Sequence, residues 1–258
     1  MHPELLHIGP ITIYTYGLLV ASGFLLGITW TARMGKKEGL DSQAVYDTAF
    51  WIVVSAIIGS RVVFGIVNFD YFAKNPLDFF KLWNGGLVFY GGLIGAAVAV
   101  VICARRYNLD FWAFADAAAP GVALGHSVGR IGCFFAGCCY GIETSVPWAV
   151  TFNNVKSMAP IGVPIHPTQL YDSANEFTIF LILTAIRPWR KFKGQIWWTW
   201  VGLYAIGRSI VEMYRGDPRG VYFNGLMSTS QIIAAGAFTL AIAFYFRGVR
   251  GVKDQSHA

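Results

Sequence analysis

Apolar positions along this chain come in long unbroken runs, unlike the alternation of a half-buried strand or the narrow stripe of a soluble helix. A helix needs roughly 17 to 25 apolar residues to cross the hydrocarbon of a bilayer. Runs of that length fall near 11–32, 46–68, 86–104, 112–129, 171–187, 195–214 and 228–246. The pattern predicts an all-α polytopic membrane protein with seven transmembrane helices. The whole chain, 1–258, is expected to form one transmembrane domain with a long connection at about 130–170. The opening MHPELLHIGP lacks the basic segment of a secretory signal, so the first run is expected to stay in place as a helix.

Composition excludes a soluble domain: 55% of the 258 residues are hydrophobic and 13% are charged, and the mean hydropathy is +0.50. Loops after the first, third, fifth and seventh runs hold Arg33, Lys36 and Lys37, then Arg105 and Arg106, then Arg187, Arg190, Lys191 and Lys193, then Arg247, Arg250 and Lys253. The opposite loops hold half as many cations: Lys74, Lys81, Arg130, Lys156, Arg215 and Arg219. By the positive-inside rule the N-terminus is outside and the C-terminus cytoplasmic. The net charge of +6 is explained by this asymmetry, with no nucleic acid among the expected partners.

The stretch HSVGRIGCFFAGCCYG, His126 to Gly141, places a cation, a histidine and three thiols at the end of a membrane-length run. A guanidinium at such a boundary needs an anion or a wet cavity, and in a bilayer the commonest anion is a lipid phosphate. The alternative for Arg130 is simple snorkelling to the headgroup layer. Gly121, Gly125 and Gly129 recur every four residues before it, as do Gly91 and Gly95 on the third run. Such stripes let helix backbones approach closely in lipid. Gly132, Gly137 and Gly141 suggest a chain that leaves regular helix and turns free N–H groups toward an anion. Among the cysteines, Cys103 reads as a small core residue. Cys133, Cys138 and Cys139, with His126 and His166, lack the paired C-x2-C spacing of structural zinc sites, so no metal is expected. A disulfide among the three is possible at an oxidising face.

In GLYAIGRSIVEMYRGDP, residues Arg208, Glu212 and Arg215 fall at i, i+4 and i+7 on one helix face. Glu212 reads either as the ion-pair partner that makes Arg208 tolerable or as a chemical group. Arg61, in AIIGSRVVFG, has no carboxylate at helical spacing, so its partner comes from another helix or from a ligand. His166-Pro167-Thr168-Gln169-Leu170-Tyr171-Asp172 opens the fifth span; Pro167 and Thr168 are ordinary helix-start grammar, while His166 has the chemistry of a proton carrier near neutral pH. Tyr16 and Tyr90 lie in or near apolar runs, where interfacial aromatic belts also account for them.

Together GGLVFYGGLIG, GRIGCFFAGCCYG, HPTQLYD and GRSIVEMYRGDPRG, in this order on a seven-span chain, resemble the bacterial prolipoprotein diacylglyceryl transferase family. The resemblance runs from about Gly9 to Tyr245. It implies an enzyme of the cytoplasmic membrane that moves the diacylglyceryl group of phosphatidylglycerol onto the lipobox cysteine of a prolipoprotein signal peptide, releasing glycerol phosphate, with no cofactor. By the same resemblance, Arg130 is the phosphatidylglycerol-binding arginine of the family signature, Arg208 its essential sixth-helix arginine, and Tyr16 its functional first-helix tyrosine.

That reaction suits the residues. A thiol attacks the glyceryl carbon next to phosphate, and the departing phosphodiester must have its charge held. Arginine offers a planar fork matched to phosphate oxygens and stays charged in a low dielectric. The expected lipid-binding set is Arg130, Gly132, Gly141, Arg208 and Arg61, with Glu212, Arg215, Gln169 and Tyr171 in support. Three departures stand out: Tyr90 occupies the place where better known members carry a histidine, Cys133 that of an Asn, and Cys138 that of a Glu. The base is therefore open among His166, Tyr90 and unaided ionisation of the substrate thiol beside bound arginines. A lipid or anion transporter using the same arginines, and a membrane thiol oxidoreductase built on Cys133, Cys138 and Cys139, are the competing classes.

Overall fold

The computed structural model of the chain describes residues 2–9, 11–81, 85–217, 220–222 and 227–256. Its elements begin with a hairpin of β1 (Glu4–Ile8) and β2 (Ile11–Tyr14). There follow α1 (Thr15–Lys37), α2 (Ser42–Val67), the short α3 (Phe69–Lys74), α4 (Phe89–Arg106) and α5 (Phe111–Ala136). After a two-stranded pair of β3 (Val150–Thr151) and β4 (Pro164–Ile165) come α6 (Thr168–Ile186) and α7 (Gln195–Glu212), the pair β5 (Val221–Tyr222) and β6 (Met227–Ser228), and α8 (Thr229–Ser256).

Every predicted apolar run contains most of one helix of 18 or more residues, roughly 27 Å or longer at a rise of about 1.5 Å per residue. The first run is corrected at its start, where Ile11–Tyr14 pair as β2 before α1 begins. Four of them, α1, α2, α4 and the Thr229–Val252 part of α8, are long and apolar enough to cross a membrane. The remaining three, α5, α6 and α7, do not meet that measure. They are the helices that carry Asp116 and Arg130, Asp172 and Glu176, and Arg208 and Glu212, all buried or nearly so. Buried charges at membrane depth are costly, so these three helices are the ones that need polar partners within the protein.

The chain divides into two compact units, one of residues 1–31 and 115–258 and one of residues 32–114. In the first, the glycine stripe of α5 meets α1. A Cβ on Gly125 would sit 2.7 Å from the carbonyl oxygen of Gly23, and one on Gly121 would sit 2.5 Å from that of Gly27. Only hydrogen fits at either contact. Gly129, third in the predicted stripe, faces open space instead. Gly125→Val is therefore expected to lower thermal stability in detergent, by about 1 to 3 kcal/mol of overpacking, whereas Gly129→Ala leaves the melting curve in place; equal effects of the two would contradict this packing.

Between α5 and α6 the contacts form rungs: His126 with Glu176, Ser127 with Ser173, and Arg130 with Asp172. Numbers rise on one helix as they fall on the other, so the two run antiparallel. Ala119, Ala123, Ile179, Phe180, Leu183 and Ile196 fill the core beyond the polar rungs. Fully buried Asp116 of α5 accepts from the backbone N–H of Gly194 at 2.8 Å and Trp197 at 3.0 Å, and pairs with Arg190 at 3.2 Å. It caps the start of α7 from a neighbouring helix, satisfying N–H groups that α7 cannot satisfy itself. This fixes where Arg208 and Glu212 stand.

In the second unit α2 starts at Asp41, whose carboxylate accepts from Gln43 and Ala44 N–H at 3.3 and 3.0 Å. It packs on α4 through Gly59, Gly91 and Gly95, where added Cβ atoms would meet the facing backbone. The stripe read on the third run is thus a close helix contact.

Candidate active site

On α6 the residues Gln169, Asp172, Ser173 and Glu176 follow one another at i, i+3, i+4 and i+7, and all four are buried. They make a buried polar stripe along one face of the helix. Asp172 is its centre. Oδ2 of this carboxylate stands 3.1 Å from Arg130 Nη2, 3.7 Å from Arg208 Nη1 and 3.8 Å from Arg215 Nη1. Arg208 also pairs with Glu212 Oε2 at 2.5 Å, one helical turn on, and donates to Ser230 Oγ at 3.3 Å. Arg215, just past the end of α7, grips Asp217 with Nε and Nη2, both at 2.9 Å.

Three guanidiniums that share one carboxylate oxygen leave donors over. Arg130 Nε, Arg208 Nη1 and Arg215 Nη1 are each buried without a hydrogen-bond partner. A buried N–H that makes no bond costs about 1 to 3 kcal/mol, more for a charged group. Planar forks that converge with donors in hand match the oxygens of a phosphate.

The chain beyond α5 is tied to the same place. Gln169 Nε2 donates to the Cys138 carbonyl at 2.8 Å, and Thr168 Oγ1 donates to that of Cys139 at 2.8 Å. Ile142 N–H donates to the Tyr214 carbonyl at 2.9 Å, and Gly216 N–H to that of Tyr140 at 3.0 Å. The sulfurs of Cys133, Cys138 and Cys139 lie within 4.8 Å of one another, and all are free thiols. Hydrogen bonds from the Cys133 and Cys138 thiols, with the Arg215 and Arg130 guanidiniums beside them, hold the Cys139 thiol well below the usual thiol range; the same sharing pushes Cys138 up.

Two glycine expectations are corrected. Gly132 lies within α5, which continues to Ala136, so its N–H belongs to the helix ladder and does not face an anion. A Cβ there would come within 3.2 Å of the Tyr16 carbonyl and 3.4 Å of the Tyr16 ring, so Gly132 seats Tyr16 against α5. Gly141 donates its N–H to the His166 carbonyl at 3.2 Å, and any side chain on it would strike His166 and Tyr214. Of this set, Gly137 alone leaves the helical conformation for positive φ, at +76°.

The other predicted residues divide between the units. His166 Nδ1 is 3.0 Å from the Tyr171 hydroxyl, which accepts from Trp148 Nε1 at 2.7 Å, and the imidazole packs against the Tyr214 ring at 5.1 Å. Thus His166, Gln169, Tyr171, Tyr16, Arg130, Arg208, Glu212 and Arg215 belong to the first unit. Tyr90 and Arg61 belong to the second. Tyr90 is the second residue of α4 and half exposed. Arg61 is buried, and its partner, which the sequence left open, is a ring of backbone carbonyls. Nε donates to Phe79, Nη1 to Gly85 and Gly86, and Nη2 to Asp78 and Lys81. Those bonds match the five donors of a guanidinium, and the Phe64, Phe72 and Phe79 rings stack around it.

Asp172 was not among the residues singled out, although it closes the HPTQLYD motif. The signal was present: three ionisable or amide residues on one helix face.

Comparison with known proteins gives one family. The family model described as prolipoprotein diacylglyceryl transferase matches residues 3–247. A protein of Clostridium tetani named phosphatidylglycerol–prolipoprotein diacylglyceryl transferase is 36% identical over 256 residues, covering 99% of this chain and 100% of that protein. A second of that name from Clostridium perfringens is 34% identical, with 86% of each chain covered. One from Bacillus cereus is 32% identical over 93% of this chain and 89% of its own.

Proposed function

Because the chain belongs to the prolipoprotein diacylglyceryl transferase family, we propose that it moves the diacylglyceryl group of phosphatidylglycerol to the lipobox cysteine of a prolipoprotein and releases glycerol phosphate. The observation that carries this reading is the convergence of Arg130, Arg208 and Arg215 on Asp172 with buried N–H groups left over. The reaction expels a phosphate ester from a glyceryl carbon, and its transition state gains charge on the departing oxygens. Donors already oriented in a dry site stabilise that charge without reorganising.

In this reading Arg130 and Arg208 hold the phosphate, Arg215 widens the cationic site, and Asp172 keeps all three forks in place before the lipid arrives. Tyr16, seated by Gly132 at the start of α1, presents its phenol at the same end of α5. His166 stands as proton carrier on the Tyr171–Tyr214 aromatic wall. Tyr90 serves as a hydrogen-bond donor through its phenolic O–H. Arg61 holds the carbonyls of Asp78, Phe79, Lys81, Gly85 and Gly86 rather than binding lipid. All seven long helices cross the cytoplasmic membrane, with the N-terminus outside, so that the α5 end and the loop after α7 face outward.

Arg208 and Glu212 divide the labour. If Glu212 orients the arginine, Glu212→Gln slows transfer only a few fold. Arg208→Lys loses the planar fork and slows it about tenfold to a hundredfold, the equivalent of a charge-assisted hydrogen bond of 1.5 to 3 kcal/mol. Steady-state rates of both variants decide the matter; a more damaging Glu212→Gln would give the carboxylate a direct chemical part.

The function itself is tested by incubating the purified protein with a lipobox peptide and phosphatidylglycerol. The peptide mass should rise by one diacylglyceryl group, and a peptide with serine for the cysteine should stay unmodified. Modification of both peptides, or of neither, would overturn the reading.

A further inference from the structure

The spacing C-x4-C-C counted against a metal because it lacks the paired C-x2-C arrangement of structural zinc sites. The fold removes that objection. Cys133 sits on the last turns of α5, and the helix ends at Ala136. Gly137 then turns with φ +76°, a conformation suited to glycine, and a Cβ there would run into Ser157 Oγ. Cys139 follows with φ +61°, a left-handed backbone rarely taken by a residue with a side chain. The carbonyls of Cys138 and Cys139 are held by Gln169 and Thr168. This enforced turn brings the neighbouring thiols to the same side, back toward Cys133.

The result is three half-buried sulfurs within 4.8 Å of one another. Zinc–sulfur bonds of about 2.3 Å in tetrahedral geometry place ligating sulfurs about 3.8 Å apart. Small side-chain rotations close the difference. Two guanidiniums lie close enough for their charges to act on the cluster: Arg215 on Cys139, and Arg130 on both Cys133 and Cys139. Three thiolates and a divalent cation carry one net negative charge, which these cations offset.

We propose that Cys133, Cys138 and Cys139 bind a zinc-class divalent cation and leave its fourth coordination position for the thiol of the acceptor cysteine. Three protein ligands with one open position is the arrangement of catalytic rather than structural zinc. The site rests on the transferase reading above and deepens it, because it supplies the thiol activation that Tyr90 does not. Coordination displaces the acceptor thiol's proton to solvent, since a metal-bound thiol is deprotonated. The thiolate sulfur then attacks the glyceryl carbon. A sulfur–carbon bond forms, the carbon–oxygen bond to phosphate breaks, and its electron pair leaves with glycerol phosphate beside Arg130.

The test uses the full chain in detergent. Zinc content is measured by mass spectrometry after equilibration and desalting, for wild type and for Cys133→Ser, Cys138→Ser and Cys139→Ser. Cobalt is then titrated as a spectroscopic probe. Stoichiometric zinc in wild type and its loss in each variant are expected, with a thiolate-to-cobalt charge-transfer band that a lipobox peptide perturbs and its serine analogue leaves unchanged. Chelation should slow wild-type transfer at least tenfold, with zinc restoring it, which keeps the test valid if a variant misfolds. Metal-free protein that transfers from phosphatidylglycerol at the full rate overturns the metal site and leaves the transferase reading standing. Bound zinc with no transfer from phosphatidylglycerol overturns the transferase reading and, with it, the part assigned to the acceptor thiol.

Discussion

Arg130→Ala is expected to slow diacylglyceryl transfer by about tenfold to a hundredfold or more while the protein remains folded. The magnitude follows from losing a charge-assisted contact of about 1.5 to 3 kcal/mol in the transition state, at roughly tenfold per 1.4 kcal/mol. Retained folding follows from the geometry. Asp172 keeps Arg208 and Arg215 within 4 Å when Arg130 is removed, so no buried carboxylate is orphaned. The Ser127–Ser173 and His126–Glu176 rungs still join α5 to α6. Initial rates with a lipobox peptide, beside thermal melts in the same detergent, check both halves. Wild-type turnover by a folded Arg130→Ala protein would remove Arg130 from the site.

Asp172→Asn has the opposite character. Removing one partner of a buried ion pair leaves the other uncompensated, at about 3 to 5 kcal/mol, and here three arginines lose the same carboxylate oxygen. Arg130 is affected most, since its described ion pair is with Asp172 alone, whereas Arg208 retains Glu212 and Arg215 retains Asp217. The variant should melt well below both wild type and Arg130→Ala, and transfer should fall with it. A double variant Arg130→Ala, Asp172→Asn should then lose less stability than the sum of the two singles, because the residues share one interaction. Wild-type melting of Asp172→Asn would show that the carboxylate does not organise the arginines.

These two residues also show what the sequence could and could not disclose. The long helices were legible because hydrophobic runs of membrane length have few alternatives, and the helix contacts at Gly121, Gly125, Gly91 and Gly95 because small residues at every fourth position have one common use in lipid. Gly129 obeys the same spacing and packs on nothing, so periodicity alone does not distinguish a contact from its continuation. Arg130, Arg208 and Glu212 stood out as charges in apolar surroundings. Asp172 did not, because it sits at the start of a span where a carboxylate reads as helix capping. Arg61 looked like a ligand-seeking cation because its partners are backbone carbonyls, which leave no trace in a side-chain pattern. The thiol cluster depends on a positive φ at Cys139, a conformation the sequence does not announce.

The central claim, that converging arginines hold the phosphate as it leaves, is tested most directly by counting products. Phosphatidylglycerol labelled in its headgroup glycerol is supplied in vesicles, and released glycerol phosphate is measured against peptide thioether formed, for wild type and Arg130→Ala. The account predicts one glycerol phosphate per lipidated peptide in wild type, none from phosphatidylethanolamine vesicles, and loss of both products together in Arg130→Ala. Thioether formation without glycerol phosphate release, or equal release by both proteins, would contradict it.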